Sequence, residues 1–348
     1  MANKILSIAI PAYNRPEFLE ISLKNICKQI IKIDPSDVEI LISDDSNKEN
    51  VIKNKKIIDK YGKKYPISYY INSPSGYESN WVNCLNKTKG KFLLVLGDDD
   101  VLVNDAINKI LGVIKSNGKS LGLISFRSYG YDFDCHSEFP FFNQEGVVYY
   151  NNHNQFFSRC GPRMTHISTM VLNKELLDDF NLDSNHAPSI VQMHFIFYIA
   201  SVSSKTAFIN NYLVAAFRNH NEWGVDAIRL FSHDIGKIME KYLRDKNLIT
   251  FIDKQFIQRF FPIDIIRAKY RVNDQLSFKL QDNIDLLCQR YKKYLRYYLY
   301  LFPILHLPSF IAKIYSFFVL LIGKLSNDDK LDLCNHLVQF LQKIRNRR

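Results

Sequence analysis

Four short apolar runs recur through the first hundred residues: ILSIAIP (5–11), VEILIS (38–43), ISYYIN (67–72) and KFLLVLG (91–97). Each is nearly continuous in apolar character and rich in β-branched residues, the pattern of strands buried on both faces of a parallel sheet. Between them PEFLEISLKNICKQI, KENVIKNKKIIDKYG and YESNWVNCLNKTKG repeat their apolar residues at helical spacing. Strand, helix, strand, three times over, predicts right-handed crossovers and an α/β fold built on an open sheet.

Past residue 120 a mixed pattern continues. LGLISFRSYGYD (121–132) and FINNYLVAAFRNH (208–220) predict strands, and PSIVQMHFIFYIASVS (188–203) predicts a mostly buried helix. From about Asn221 onward Gly and Pro become rare and helical patterns follow one another to the end. The expected organisation is a catalytic-type domain over 1–222 and an all-helical extension over 223–348, without internal repeats or low-complexity segments.

An open parallel sheet binds ligands at the carboxyl ends of its strands. Here the first strand runs into PAYNR, the second into SDDSN, the third into NSPSG and the fourth into GDDD. Four polar loops should therefore line one rim, with Gly76 in the tight third loop and paired carboxylates in the second and fourth.

Composition narrows the setting. The chain is 47% hydrophobic and 14% aromatic, which excludes a disordered polymer. Its 46 Lys and Arg against 35 Asp and Glu leave a net charge of +11, favouring polyanionic neighbours such as phosphates, nucleic acid or anionic lipid. The six cysteines form no CxxC pair, which argues against a zinc site or a disulfide framework and for a reduced, cytoplasmic setting. The N-terminal apolar run is too short for a signal peptide. The longest apolar region, 294–325, is interrupted by Pro303, His306, Pro308 and Lys313, so a clean membrane span is not expected.

Against that basic background, three adjacent aspartates at the end of a strand need a cation among them. Mg²⁺ and Mn²⁺ prefer oxygen ligands and are commonly held by one or two carboxylates plus substrate phosphates. Taken alone, GDDD could equally be a turn and helix N-cap. The second carboxylate pair, Asp44 and Asp45, on the same rim shifts the balance toward a site.

Over roughly the first 220 residues the combination resembles the family 2 glycosyltransferases, with a GT-A type open, mostly parallel sheet flanked by helices. The resemblance rests on Pro11, Tyr13, Asn14 and Arg15 after the first strand, on Asp44, Asp45 and Ser46 after the second, and on Asp98, Asp99 and Asp100 after the fourth. It implies that Asp45 faces the nucleobase of a nucleotide-sugar, with PAYNR beneath the nucleoside. Aligned on VLVNDAI, GDDD looks like the family's DXD motif, with Asp98 facing the ribose, Asp99 as metal ligand and Asp100 as a second candidate ligand. The implied cofactor is a divalent cation, Mn²⁺ or Mg²⁺. The resemblance also points to His220, in FRNH, as a further metal or diphosphate contact.

The Glu-Asp pair that usually supplies the general base in inverting members is missing, because the corresponding helix has no carboxylate. Gln192 and His194 occupy the region, and histidine qualifies chemically as a base where glutamine does not. His194 is therefore the first candidate base, a packed histidine being the alternative, and Asp183 and His166 compete for the role.

The implied function is transfer of a hexosyl or N-acetylhexosaminyl unit from a UDP- or dTDP-sugar to a saccharide or lipid-linked acceptor, by direct displacement with inversion, in surface-glycan assembly. Two other classes fit less well. A nucleotidyltransferase would normally show a Gly-rich phosphate loop after the first strand, and PAYNRPEF has no glycine. A nucleic-acid-binding protein suits the charge, but no nucleic-acid module is evident and the acidic loops would repel phosphate. The basic and aromatic stretch 287–325 suits either peripheral contact with the inner face of the cytoplasmic membrane or a packed helical core with a solvated basic face.

Overall fold

A computed structural model describes residues 4–73, 75–182, 190–218, 227–262, 265–266, 280–325 and 334–335. The chain divides into two compact units, Met1–Phe156 with Arg163–Asn219, and Phe157–Pro162 with His220–Arg348.

The first unit is built on one mixed sheet. β1 (Leu6–Ala12), β2 (Val38–Asp44), β3 (Ile67–Ile71) and β4 (Phe92–Val95) alternate with helices α1 (Pro16–Ile30), α2 (Lys48–Gly62) and α3 (Tyr77–Lys87). The predicted βαβ repeat is therefore present, and β1 pairs in parallel with β2 on one side and β4 on the other. Then come β5 (Asp100–Leu102), α4 (Ala106–Asn117), β6 (Leu121–Tyr131), β7 (Val147–Tyr150), α5 (His153–Cys160), β8 (Met170–Asn173), α6 (Gln192–Val202) and β9 (Lys205–Phe217). The strand order is β3-β2-β1-β4-β8-β6-β9-β5, with β7 also on β9. β8 runs antiparallel between β4 and β6, and both β5 and β7 pair antiparallel to β9, whereas β6 and β9 are parallel.

Local chemistry explains the early elements. α1 opens with Pro16, whose missing N–H is no loss in a first turn, and carries Glu17 early and Lys28 late, as the helix dipole favours. The Asn47 side chain caps α2 by accepting from the Asn50 N–H at 2.9 Å. α1 packs against α2 and α4 on one face of the sheet. On the other, Trp81 of α3 meets Phe195 of α6 with ring centroids 5.0 Å apart, so this tryptophan anchors packing.

The strand order places the topological switch between β1 and β4: the chain leaves β1 toward β2 and returns past it to β4. The loops after these two strands are where a ligand crevice is expected.

The second unit contains α7 (Ile235–Tyr242), α8 (Lys246–Gln255), α9 (Leu280–Tyr291) and α10 (Ser309–Leu325), with π-helical turns at Leu230–Asp234, Phe256–Phe260 and Tyr297–Leu301. Aromatic rings fill its interior; Phe231 lies 4.8 Å from Phe260, and Phe261 lies 5.5 Å from Tyr291. Arg290 Nε donates to the fully buried Asp253 at 3.0 Å, and its Nη1 reaches Glu240 at 3.2 Å. A Cβ at Gly236 would overlap this guanidinium, so the glycine makes room for it. Burial pushes the Asp253 carboxyl pKa up, with Arg290 opposing the rise only in part. Arg290→Met should therefore destabilise by about 3 kcal/mol, and adding Asp253→Leu should recover most of that loss, because an unpaired buried charge costs more than an apolar pair. Chemical denaturation followed by circular dichroism reads both.

Among the described residues no disulfide joins any of the six cysteines. Among the described residues no helix is long and apolar enough to cross a membrane.

Candidate active site

The rim at the switch point is held by three loops that bind one another. After β1 the chain turns at Asn14, whose φ of 54° is a left-handed conformation that asparagine tolerates better than most residues. Its N–H donates to Ser46 Oγ at 2.8 Å, and its Oδ1 accepts from the Asn47 N–H at 2.8 Å and from Asn50 Nδ2 at 3.2 Å. The loops after β1 and β2 are thereby tied together.

The two aspartates of the second loop have different surroundings. Asp44 is fully buried and accepts from the Ser46 N–H at 2.9 Å, Asn54 Nδ2 at 3.0 Å and the Tyr69 hydroxyl at 2.7 Å. This carboxylate ties β2 to α2 and β3. Asp45 is partly exposed and lies on the rim. It accepts from the Gly76 N–H at 2.8 Å and from Asn72 Nδ2 at 3.3 Å. Gly76 has φ 133°, where a side chain would strain the backbone.

The three aspartates of the fourth loop also diverge. Asp98 is 1% exposed; it accepts from the Tyr13 N–H at 2.9 Å and pairs with Arg15 Nη2 at 2.5 Å. Burial pushes its carboxyl pKa up to about 7, opposed by Arg15 and the Tyr13 N–H and reinforced by Asp99. Asp99, the most exposed of the three, takes the other branch of the guanidinium, Arg15 Nη1, at 2.9 Å. Asp100 turns inward at the start of β5 and accepts from His166 Nε2 at 2.9 Å and from the Ser168 hydroxyl. Ser168 Oγ also accepts from the Gly97 N–H at 2.9 Å. Burial disfavours the charged form of His166, yet the charge and hydrogen bond of Asp100, with Asp99 nearby, outweigh it and raise the imidazole pKa.

Within the chain, Arg15 supplies a positive charge to Asp98 and Asp99, and His166 and Ser168 hydrogen-bond Asp100. The sequence offers His166 only as a competing base and gives no sign of Ser168. Both precede the short strand β8, and only that strand's antiparallel insertion beside β4 carries them to the fourth loop.

Residues 7–178 match the family model described as Glycosyl transferase family 2. Through this region the chain belongs to glycosyltransferase family 2. Among curated proteins it is 27% identical over 194 residues to the abequosyltransferase RfbV of Salmonella typhimurium, a match covering 52% of this chain and 56% of that protein. It is 31% identical over 109 residues to the GalNAc(5)-diNAcBac-PP-undecaprenol beta-1,3-glucosyltransferase of Campylobacter jejuni, covering 30% of this chain and 33% of that one. The chain therefore spans about half the length of the first relative and a third of the second. Among solved structures, S. aureus TarS 1-349 in complex with UDP-GlcNAc superposes with a TM-score of 0.59 at 15% identity, covering 92% of this chain and 91% of that one. The mannosyltransferase PcManGT of Pyrobaculum calidifontis, in complex with GDP-Man and Mn²⁺, gives 0.51 at 13% identity, covering 93% and 88%. These likenesses establish the GT-A type fold.

The family fold implies a divalent cation, and the residues present suit one. A Cβ on Gly97 would stand 3.2 Å from Asp99 Oδ1 and 3.1 Å from Asp100 Oδ2, so both carboxylates lie close to the same point beside that glycine. Among the described residues no three His, Cys, Asp or Glu side chains form a complete cage. One or two carboxylates completed by substrate oxygens and water is the usual arrangement for Mg²⁺ and Mn²⁺.

Of the candidate bases, His166 meets this cluster through Asp100. His194 lies on α6 and is 3% exposed, while its neighbour Gln192 accepts from the Tyr77 hydroxyl at 3.2 Å. Such a placement suits packing better than proton abstraction, which needs hydrogen-bond reach to the acceptor hydroxyl. Asp183 and His220 lie outside the described residues. Arg218 of the FRNH stretch pairs with Asp132 at 2.8 Å, and a Cβ on Gly130 would collide with its side chain.

Proposed function

We propose that the chain transfers a hexosyl or N-acetylhexosaminyl unit from a UDP- or dTDP-sugar to a saccharide or lipid-linked acceptor, in the assembly of a surface glycan. The observation that carries this reading is the convergence of Tyr13, Arg15, Asp45, Asp98 and Asp99 on the switch point of a family 2 domain. The Asp45 carboxylate, oriented by Gly76 and Asn72, is suited to accept from the imide N–H of uracil or thymine. The Tyr13 ring, 48% exposed, offers the base an aromatic surface beside it. Asp98 fixes the loop after β1 through the Tyr13 N–H and stands where the ribose would lie.

Asp99, with Asp100 behind it, would hold the divalent cation, which neutralises the departing diphosphate. Arg15 keeps the two outer carboxylates apart and oriented. The relatives bearing abequosyl- and glucosyltransferase names, the latter with a PP-undecaprenol in its name, support a glycan acceptor. Inversion by direct displacement requires a base at the acceptor. His166 Nε2 is tied to Asp100, so Asp183 and His194 stand as the candidates, to be separated by comparing kcat of Asp183→Asn and His194→Gln.

Thermal melts with UDP, dTDP and GDP, each with and without Mn²⁺, test the class and the base together. UDP or dTDP should raise Tm only when Mn²⁺ is present, following RT ln(1 + [L]/Kd). A larger response to GDP, or none to any nucleotide, would overturn the reading. Asp45→Ala should weaken UDP binding by about tenfold to a hundredfold, the loss expected for one hydrogen bond to a charged group.

A further inference from the structure

We propose that the outward face of α10, together with the aromatic turn before it, docks on an anionic lipid bilayer and lies in its interface. A helix on a water-exposed surface ordinarily turns polar residues outward. α10 does the opposite. Its inner side is apolar, with Ala312 fully buried and Val319 3% exposed, and its outer side exposes Phe310 (74%), Phe317 (63%), Phe318 (55%), Ile311 (49%), Ile322 (49%) and Ile314 (47%). At about 100° per residue these six fall within one arc of about 140°, with the exposed Lys313 at its border. Single exposed apolar residues are ordinary, whereas a contiguous stripe of this size marks a contact surface.

The stripe continues into the preceding segment. The Tyr315 hydroxyl donates to the Leu299 carbonyl, joining α10 to the turn at Tyr297–Leu301. There Leu295 is 74% exposed, Tyr298 and Leu299 are each 49% exposed, and Phe302 is 44% exposed.

Charge selects the occupant. Residues 286–327 contain no Asp or Glu, yet carry Arg290, Lys292, Lys293, Arg296, Lys313 and Lys324. Arg290 is engaged with Asp253 and Arg296 donates to Gln258; Lys292, Lys293 and Lys313 are exposed beside the apolar residues. Each such cation near an anionic membrane strengthens the attraction by about fivefold. A second copy of the chain would instead set like charges against one another. At 17 residues α10 is about 26 Å long, short of the roughly 30 Å hydrocarbon core. It also carries Lys313 and Lys324, so it suits the interface and not a crossing. Such docking would bring a lipid-linked acceptor, if that part of the proposed function holds, to the same surface as the enzyme; the docking itself depends on no step of glycosyl transfer.

Sedimentation of the full chain with vesicles, in EDTA and without nucleotide, tests docking separately from the catalytic reading. The probes are phosphatidylcholine alone and phosphatidylcholine with phosphatidylglycerol in equal parts. Partitioning to the mixed vesicles should exceed that to phosphatidylcholine alone by about tenfold or more, and should fall as salt rises. Phe317→Ser combined with Phe318→Ser should reduce it by about tenfold or more with an unchanged Tm, since both side chains face solvent. Lys292→Glu with Lys293→Glu should remove the preference for anionic lipid. No partitioning to the mixed vesicles, equal partitioning of the phenylalanine variant, or a dimer that this variant dissociates would each overturn the proposal.

Discussion

Asp99→Asn should abolish glycosyl transfer, lowering kcat by about 10³-fold, while the protein folds and melts as the parent does. That factor corresponds to about 4 kcal/mol of lost transition-state stabilisation, in the range found when one electrostatic stabiliser of a developing anion is removed. The fold should tolerate the change because Asp99 is the most exposed of the three aspartates. Arg15 keeps its shorter contact with Asp98, and one source of like-charge repulsion on Asp98 disappears. Asp100→Asn provides the contrast: its carboxylate is buried against His166 and Ser168, so that variant should lose stability as well as rate. The measurements are single-turnover transfer and the Mn²⁺-dependent UDP melting shift for each variant. Transfer within threefold of the parent for Asp99→Asn, or an unaltered Mn²⁺ dependence, would sink the assignment of Asp99 as metal ligand.

The register of the GDDD motif is open in the sequence, because three identical neighbouring residues carry no information about which way each side chain points. The flanking strands separate them in the fold. Asp100 is the first residue of β5 and pairs with Ala216 of β9, so it faces inward. Asp98 sits where the loop after β1 closes over it, and Asp99 is left at the turn's exposed position.

The same principle governs what else is legible. β1 to β4 are read correctly because each is flanked by a helix of clear period. β5, β7 and β8 have only three or four residues each, too few to establish an alternation, and their antiparallel pairing depends on partners about 45 or more positions away. His166 and Ser168 are for that reason invisible as neighbours of Asp100: nothing local in THIS, the residues 165–168, signals proximity to residue 100. Asp44 poses the converse problem. As a sequence element it is indistinguishable from Asp45, and only the side chains of Asn54 and Tyr69, from α2 and β3, show which of the pair faces inward.

Arg15→Met should lower the stability of the metal-free protein by about 3 kcal/mol, and Mn²⁺ should return a large part of that loss. Arg15 forks between Asp98, which is 1% exposed, and Asp99, so its removal leaves a buried carboxylate beside a second one with no cation between them. Breaking a buried ion pair from one side typically costs about 3–5 kcal/mol. The low end applies here because Arg15 itself is 20% exposed, and because the carboxyl of Asp98, already pushed up to about 7 by burial, can relieve the strain by taking a proton. For a unit of roughly 200 residues the expected fall in Tm in EDTA is on the order of 10 °C. Methionine retains the apolar stem of the side chain, so lost packing along that stem does not account for it. In the parent, a divalent ion held by Asp99 would compete with the guanidinium for the same carboxylate; in the variant that competition would be gone. Mn²⁺ should therefore raise the Tm of Arg15→Met by more than it raises that of the parent, and Mn²⁺ titration should give a lower apparent Kd for the variant. Nearly equal melting of the two proteins in EDTA would show that Arg15 is not the counter-ion of the cluster. An equal Mn²⁺ response would show that the ion does not meet Asp99 on the side the guanidinium occupies.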